Sequence, residues 1–390
     1  MASFDLAVVG AGIAGMAHAL AGARRGMRVV VVERDAAASL ASVRNFGFVT
    51  ITGQAEGDTR RRALRSREVW AEVAQAAGIA IHQRGALIVA RRAEAMAVLR
   101  EYAATPMGEG CQLLDASGAV ARVPRLRGDV AGALLSPHEI RVEPREALPA
   151  LAAYLEGDHG VVFHWGLPAL SVEEFGVRVP QGRIEAARVV VCAGAAVASF
   201  DPLLAQRVAL RQCKLQMMRT PVQPRGWTLG PMLAGGLTLR HYEAFAECPS
   251  LPALKARVAA EAPELDKYGI HVMASQNGLG EIVLGDSHEY GDEITPFDKR
   301  EIDELMLREL RKLIDLPDWT IEERWHGIYP KAPGLIQYEC QPEPNVEVVI
   351  ASGGCGMTMS FGFANRLWNR WDMAEGPVRS APNGRVESPA

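Results

Sequence analysis

The feature that most constrains this chain is the run VVGAGIAGMAHALAGARRGMRVVVVERD at residues 8–35. A strand-like apolar stretch, residues 4–9, leads straight into Gly10, Gly12 and Gly15 in G-x-G-x-x-G spacing. In a strand–helix–strand unit the first glycine permits the tight turn, the second lets backbone approach a pyrophosphate, and the third lets the helix pack closely on the strand. Ile13 and Ala14 open an alanine-rich helix whose first N–H groups and positive dipole end suit a phosphate. Residues 29–32 read as a buried parallel strand, and Glu33 ends it where a carboxylate can accept from ribose hydroxyls. Glycine-rich turns are common and can be purely structural. Here strand, helix, second strand and acid follow in order, which favours a dinucleotide site. Glu33 argues against a 2′-phosphate and Arg34 beside it argues the other way. The run leaves open whether the dinucleotide carries nicotinamide or flavin.

Composition narrows the class. The 390 residues allow two domains, and 48% hydrophobic with 23% charged residues is the balance of a soluble globular protein. A net charge of -4 gives no attraction to nucleic acid or an anionic membrane surface. No apolar run reaches the roughly 18–20 residues of a membrane span. The apolar N-terminal stretch is better explained by the nucleotide unit than by a signal peptide. Cys111, Cys192, Cys213, Cys248, Cys340 and Cys355 form no C-x-x-C pair or metal spacing, so reduced thiols, a cytoplasmic location and no metal site are expected.

Beyond Glu33 the regular alternation of a simple nicotinamide domain stops. SVRNFGFVTITGQ, residues 42–54, reads as a polar loop and residues 59–77 as a charged helix. A strand ALIVA and a helix near residues 93–102 follow. Pro144 opens a further helix, since its fixed φ and missing N–H suit a first turn. The strand VVFHW comes next, and ARVVVCAGA at residues 187–195 reads as a return to the nucleotide sheet. Residues 208–295, including GLTLRHYEAF and GIHVMASQNGLGEIVLGDS, read as antiparallel strands, and residues 296–316 as an amphipathic helix. VVIASGGCGMTMSFGFANRLWNRW then repeats the opening logic of strand, glycine turn and helix.

A nucleotide motif at the start, a return strand in the middle and a second glycine turn late in the chain resemble the flavin-dependent amine oxidases. This is the superfamily of D-amino-acid oxidase, glycine oxidase and sarcosine oxidase. The likeness runs from residue 4 to about 372, carried by VVGAGIAG, SVRNFGFV, RVEPREALPAL, VVVCAGA and GGCGMTMSFG, while residues 79–135 match only in general character. SVRNFG, LQMMRT and GMTMSFG together look most like a bacterial subgroup linked to aminophosphonate breakdown.

The resemblance implies an α/β fold with an FAD-binding, Rossmann-like domain built from residues 1–78, 136–207 and 335–375. Residues 79–135 and 208–334 would form an antiparallel-sheet substrate domain, and residues 376–390 a flexible tail. It implies FAD held by Gly10, Gly12, Ile13, Ala14, Gly15, Glu33 and Arg34, by Ser42, Arg44, Asn45 and Gly47, by Ala193 and Gly194, and by Gly353, Gly354, Gly356, Met357 and Thr358. The last helix would aim its positive end at the flavin N1–C2 edge, where the reduced ring carries negative charge. The covalent cysteine of some sarcosine oxidases is missing, so FAD is expected to be non-covalent. Cys355 reads as a small filler, Met217 and Met218 as packing residues, and His271 and His288 as structural.

On the substrate side the resemblance points to Arg44, Asn45, His241, Tyr329, Lys331 and Thr358. Arg44 has a plain alternative as a surface loop arginine, and His241, like Tyr242, as an ordinary strand residue facing a core. Sarcosine oxidases place a lysine where this chain has Thr358, and a hydroxyl does not replace that charge. Arg44, Lys331 or His241 therefore become the candidate anion partners. The expected reaction is oxidation of a small anionic amine by hydride transfer to FAD, with O2 as acceptor and positioning rather than a dedicated base as the main device. The preferred substrate is an aminoalkylphosphonate such as N-methyl-2-aminoethylphosphonate. A glycine- or sarcosine-like amino acid, a dehydrogenase using a quinone or carrier protein, and a non-enzymatic flavin subunit are the alternatives.

Overall fold

The structure, a computed structural model, describes residues 4–200, 208–292 and 294–375. The expected tail lies outside them. In chain order the first elements are β1 (Phe4–Val9), α1 (Ile13–Ala23), β2 (Val29–Val32), β3 (Phe48–Val49), α2 (Asp58–Ala76), β4 (Ile81–Ala90) and α3 (Ala93–Ala103). Then come β5 (Gln112–Leu114), α4 (Ala116–Arg122), β6 (Gly132–Val142), α5 (Pro144–His159), β7 (Val162–His164), β8 (Ser171–Glu173), β9 (Gly176–Val179) and β10 (Gly182–Val191). The remainder comprises β11 (Arg211–Val222), β12 (Met232–Gly235), α6 (Leu251–Glu261), α7 (Pro263–Lys267), β13 (Met273–Gln276), β14 (Glu281–Gly285), β15 (Glu289–Gly291), α8 (Arg300–Leu313), β16 (Glu323–Lys331), β17 (Gln337–Glu343), β18 (Val346–Ala351) and α9 (Gly356–Glu375).

Among the described residues the first sheet runs β17-β18-β10-β1-β2-β7, with β8 and β9 extending from β10. β1 pairs in parallel with β2 on one side and with β10 on the other, Val9 opposite Val32 and Val191, so the chain does return to this sheet at residues 187–191. Both faces are covered, which is why Val29–Val32 is valine throughout. Alternate residues of β1 serve different cores. Leu6 and Val8 meet α1, α5 and α9, while Ala7 and Val9 meet the layer under β8–β10. Close packing of α1 demands glycine: a Cβ on Gly15 would stand 1.8 Å from the Gly10 carbonyl oxygen.

The second sheet runs β15-β11-β14-β13-β12-β4-β6-β3, with β16 on β11 and β5 on β6. Its core is filled by Met217 and Met218 of β11 and by the apolar stripe Ile302, Met306, Leu310 and Leu313 of α8. Together the two sheets make the expected mixed α/β fold. Two expectations for this region are corrected. GLTLRHYEAF forms 3-10 turns at Gly236–Arg240 and Glu243–Phe245 instead of a strand. Leu237, Thr238 and Leu239 are buried in succession, and Phe245 packs on Tyr102 at 4.8 Å, a pattern that a one-faced strand does not give. The helix expected over residues 296–316 is shorter, Arg300–Leu313. No helix among the described residues is long and apolar enough to cross a membrane.

Candidate active site

Three parallel neighbours, β1, β10 and β18, end side by side, and each is followed by a glycine-bearing turn. Ligands of open α/β sheets bind in the crevice outside such carboxyl ends. Gly10, Gly12, Ile13 and Ala14 after β1, Ala193 and Gly194 after β10, and Gly353, Gly354, Gly356, Met357 and Thr358 after β18 all line one cavity of about 500 Å³. Gly12, at the start of α1, brings no side-chain cap, and Ile13 N–H finds Ser42 Oγ at 3.0 Å. Glu33 lines the same cavity and holds its walls: its two oxygens accept from Ala11 N at 2.8 Å and Asp35 N at 3.0 Å. The donor set therefore fits a dinucleotide, with N–H groups at a helix start for phosphate and a fixed carboxylate for ribose.

The loop between β2 and β3 closes one wall. Asn45 organises it, donating to the Ala41 and Ser42 carbonyls at 2.8 and 3.0 Å and accepting from Gly47 N at 2.7 Å. Arg44 lines the cavity with part of its guanidinium committed, Nε donating to Ser39 O at 2.7 Å and Nη1 to His326 O at 3.4 Å. Arg34, Ser42 and Asn45 also line the cavity, whereas Gly15 and Gly47 stand outside the lining. Gly47 answers to packing: with φ +75°, its Cβ would lie 1.8 Å from Val142 O. Thr358 is buried, and its hydroxyl accepts from Thr50 N at 3.0 Å, tying α9 to the end of β3.

The opposite wall comes from the second sheet. Tyr329 and Lys331 at the end of β16, His241 and Tyr242 after the first 3-10 turn, and Asp286, His288 and Tyr290 around β14 and β15 all face the cavity. Burial, reinforced by nearby Cys213 and Tyr290, raises the Tyr329 hydroxyl well above the usual tyrosine range. Burial also raises the Cys355 thiol to about 11, so it stays protonated at neutral pH and serves as filler. No disulfide links cysteines among the described residues.

Sequence reasoning did not bring His241, His271 and His288 together. Their nearest nitrogens lie within 4.8 Å of one another, with His271 buried and His241 open to the cavity. Ring centroids are 4.3 Å apart for His241 and His271 and 5.1 Å for His271 and His288. Burial lowers the His241 imidazole to about 3, lowers the His271 imidazole well below its ordinary value, and raises the Asp286 carboxyl to about 6. In sequence His271 and His288 flank the hairpin β13–β14, the one local hint that they share an end of it.

The DAO family, described as FAD dependent oxidoreductase, matches residues 5–369. Among solved structures, the glycine oxidase from Geobacillus kaustophilus is 19% identical with a TM-score of 0.74, covering 95% of this chain and 94% of its own. The L-proline dehydrogenase from P. horikoshii is 20% identical with a TM-score of 0.74, covering 97% of this chain and 95% of its own. The L-alpha-glycerophosphate oxidase from Mycoplasma pneumoniae, solved with FAD bound, is 16% identical with a TM-score of 0.70, covering 95% of each chain. Nothing matches among curated protein sequences.

Proposed function

This chain belongs to the DAO family of FAD-dependent oxidoreductases, and from that premise we propose that it oxidises a small anionic amine, with an aminoalkylphosphonate such as N-methyl-2-aminoethylphosphonate as substrate. The observation that carries this reading is the single cavity that joins the dinucleotide cradle to a polar wall on the second sheet. Bound non-covalently, FAD supplies the two-electron acceptor for a substrate C–H hydride, and O2 is the final acceptor. Gly10, Gly12, Ile13 and Ala14 hold the pyrophosphate, Glu33 the ribose, and the turn at Gly353–Met357 the flavin end.

The protein's own residues bind and orient. Lys331 and the uncommitted part of the Arg44 guanidinium meet the substrate anion, the only arginine or lysine side chains besides Arg34 that line the cavity among the described residues. Tyr329, Tyr242 and Met217 shape the chamber. The nearest rival substrate is a glycine- or sarcosine-like amino acid, favoured by the likeness to a glycine oxidase. An anaerobic screen for bleaching of the yellow protein separates them. Faster reduction by N-methyl-2-aminoethylphosphonate than by sarcosine, glycine or proline supports the phosphonate reading, and the reverse order removes it. Peroxide on readmission of air marks an oxidase, and its absence a dehydrogenase.

A further inference from the structure

We infer that His241, His271, His288 and Asp286 form the receptor for the substrate's ammonium group, and that Asp286 takes its proton before oxidation. The inference rests on the amine reading above and names which end of the cavity holds the nitrogen.

Hydrogen placement is fixed at one ring. His288 Nδ1 lies 3.1 Å from Gly269 O, and a carbonyl oxygen only accepts, so Nδ1 carries the hydrogen. Nε2 is then the ring nitrogen left to face the cluster. His271 Nδ1 and Asp286 Oδ1 are buried without any hydrogen-bond partner among the described residues, and His271 Nε2 lies 3.9 Å from Asp286 Oδ2. Unsatisfied buried polar atoms are costly and mark a missing partner. The groups facing the cluster from neighbouring elements are Tyr242, Tyr290, Tyr329 and Cys213, all kept neutral by burial, with Arg240 and Lys255 acting on His241 from farther off. The cluster is thus a set of acceptors beside a carboxylate. It attracts a cation rich in N–H donors and repels an anion, which leaves the anion end of the substrate to Lys331 and Arg44.

The spacing of the histidine nitrogens accommodates an ammonium. Hydrogen bonds of about 2.9 Å from the two N–H groups of a secondary ammonium place their acceptors roughly 4.7 Å apart. Zinc–nitrogen bonds of about 2.0–2.1 Å require roughly 3.4 Å. The histidine nitrogens all lie within 4.8 Å of one another, a separation that two acceptors on one ammonium can span. In the proton step one N–H bond of the ammonium breaks, its electron pair stays on nitrogen, and the proton joins the Asp286 carboxylate to give a carboxylic acid. The neutral amine then has the lone pair that drives departure of hydride from the adjacent carbon.

The test is anaerobic reduction of the FAD-loaded enzyme by N-methyl-2-aminoethylphosphonate and by sarcosine from pH 6 to 10, in wild type, Asp286→Asn and His241→Gln, with flavin content and circular dichroism as folding controls. Asp286→Asn should lose on the order of 100-fold in rate at neutral pH and regain it as the pH rises and free amine becomes abundant. His241→Gln, on the open side of the cavity, should weaken substrate binding while keeping the shape of the wild-type pH profile. The trimethylammonium analogue of the substrate, which has no N–H, should bind wild type at least 10-fold more weakly than the secondary amine, and this preference should shrink in His241→Gln. A wild-type pH profile in Asp286→Asn with no preference against the trimethylammonium analogue overturns the inference while leaving amine oxidation intact. Stoichiometric zinc retained by wild type and needed for turnover overturns it in favour of a metal. Failure of every amine to bleach wild type removes both the inference and the reading beneath it.

Discussion

The hydroxyl oxygen of Tyr329 lies 2.8 Å from the point where a Cβ on Gly354 would stand, so the second glycine turn and β16 fit together only without a side chain there. Gly354 also has φ +74°, a region costing an L-residue about 1–2 kcal/mol. Gly354→Ala should therefore lower stability by at least that amount and displace Tyr329 from the cavity. The check is a double-mutant cycle with Tyr329→Phe, read by denaturant midpoint and FAD affinity. Removal of the hydroxyl should restore part of the loss and leave the backbone share. Equal losses in both backgrounds would show that the hydroxyl does not press on the turn.

Trp70 ties the long helix α2 to the same turn. Its indole Nε1 donates to Met357 O at 2.7 Å, and its ring meets Phe361 edge-on at 5.1 Å. Trp70→Phe keeps most of the packing, deletes the donor and leaves a buried carbonyl unpaired, so a loss of about 1–3 kcal/mol is expected. On the proposed placement of FAD against the turn at Gly353–Met357, FAD affinity should fall with stability. Unchanged affinity would mean that α2 does not position this turn.

These connections explain what could be read in the sequence and what could not. The first strand–helix–strand unit, the Pro144 start of α5 and the β18–α9 turn are local, because their glycine spacing, caps and apolar periods lie within about one helical turn of each other. The wall of histidines is not local. His241 follows a 3-10 turn, His271 and His288 flank a hairpin, and all reach the cavity only because β12 pairs with both β4 and β13 in the second sheet. GLTLRHYEAF misleads because its alternate leucines imitate a strand. Residues 251–267, within the stretch expected to be antiparallel strands, instead form α6 and α7, with Pro252 in the first turn of α6.

Gly12 offers a test of the cradle that does not depend on backbone strain, since its φ of -72° suits any residue. A Cβ there would stand 2.9 Å from Ser42 Oγ and intrude on the space in front of the first N–H groups of α1. Gly12→Val should fold, as judged by circular dichroism, yet purify colourless. Acid precipitation of wild type should release FAD into the supernatant. A yellow Gly12→Val protein, or colour that stays with the wild-type precipitate, would contradict the cradle or the non-covalent binding respectively.

His18 predicts an acid-sensitive fold. It is buried in α1 with Nδ1 unpaired, and burial lowers its imidazole to about 3 from the ordinary 6.5. Above pH 6.5 both folded and unfolded chains hold it neutral, and its contribution is intact. As the pH falls below 6.5 only the unfolded chain takes up the proton, so stability is lost progressively until the folded value near 3 is reached. Between pH 7 and pH 5 this amounts to about 2 kcal/mol. His18→Leu should flatten that part of the decline, measured by urea unfolding at a fixed excess of FAD. Parallel declines in wild type and variant would mean that His18 is already charged in the folded protein.

Substrate charge is the last matter the cavity decides. Lys331 stands at the end of β16 and lines the same cavity as the second glycine turn, whereas Arg44 is partly held by the Ser39 and His326 carbonyls. A phosphonate carries up to two negative charges and three acceptor oxygens, so it should use both cations. Lys331→Met should cost about 1.5–3 kcal/mol in kcat/KM for N-methyl-2-aminoethylphosphonate, the range for one charged hydrogen bond. Arg44→Ala should cost a comparable amount and also loosen the wall formed by residues 39–45, raising the FAD dissociation constant, which Lys331→Met should leave alone. Neither variant should change kcat/KM much for an uncharged amine of similar size, because that substrate has no anion for the cations to hold. An equal loss on charged and uncharged amines would show that Lys331 acts on the cofactor end, and the phosphonate reading would lose its principal partner.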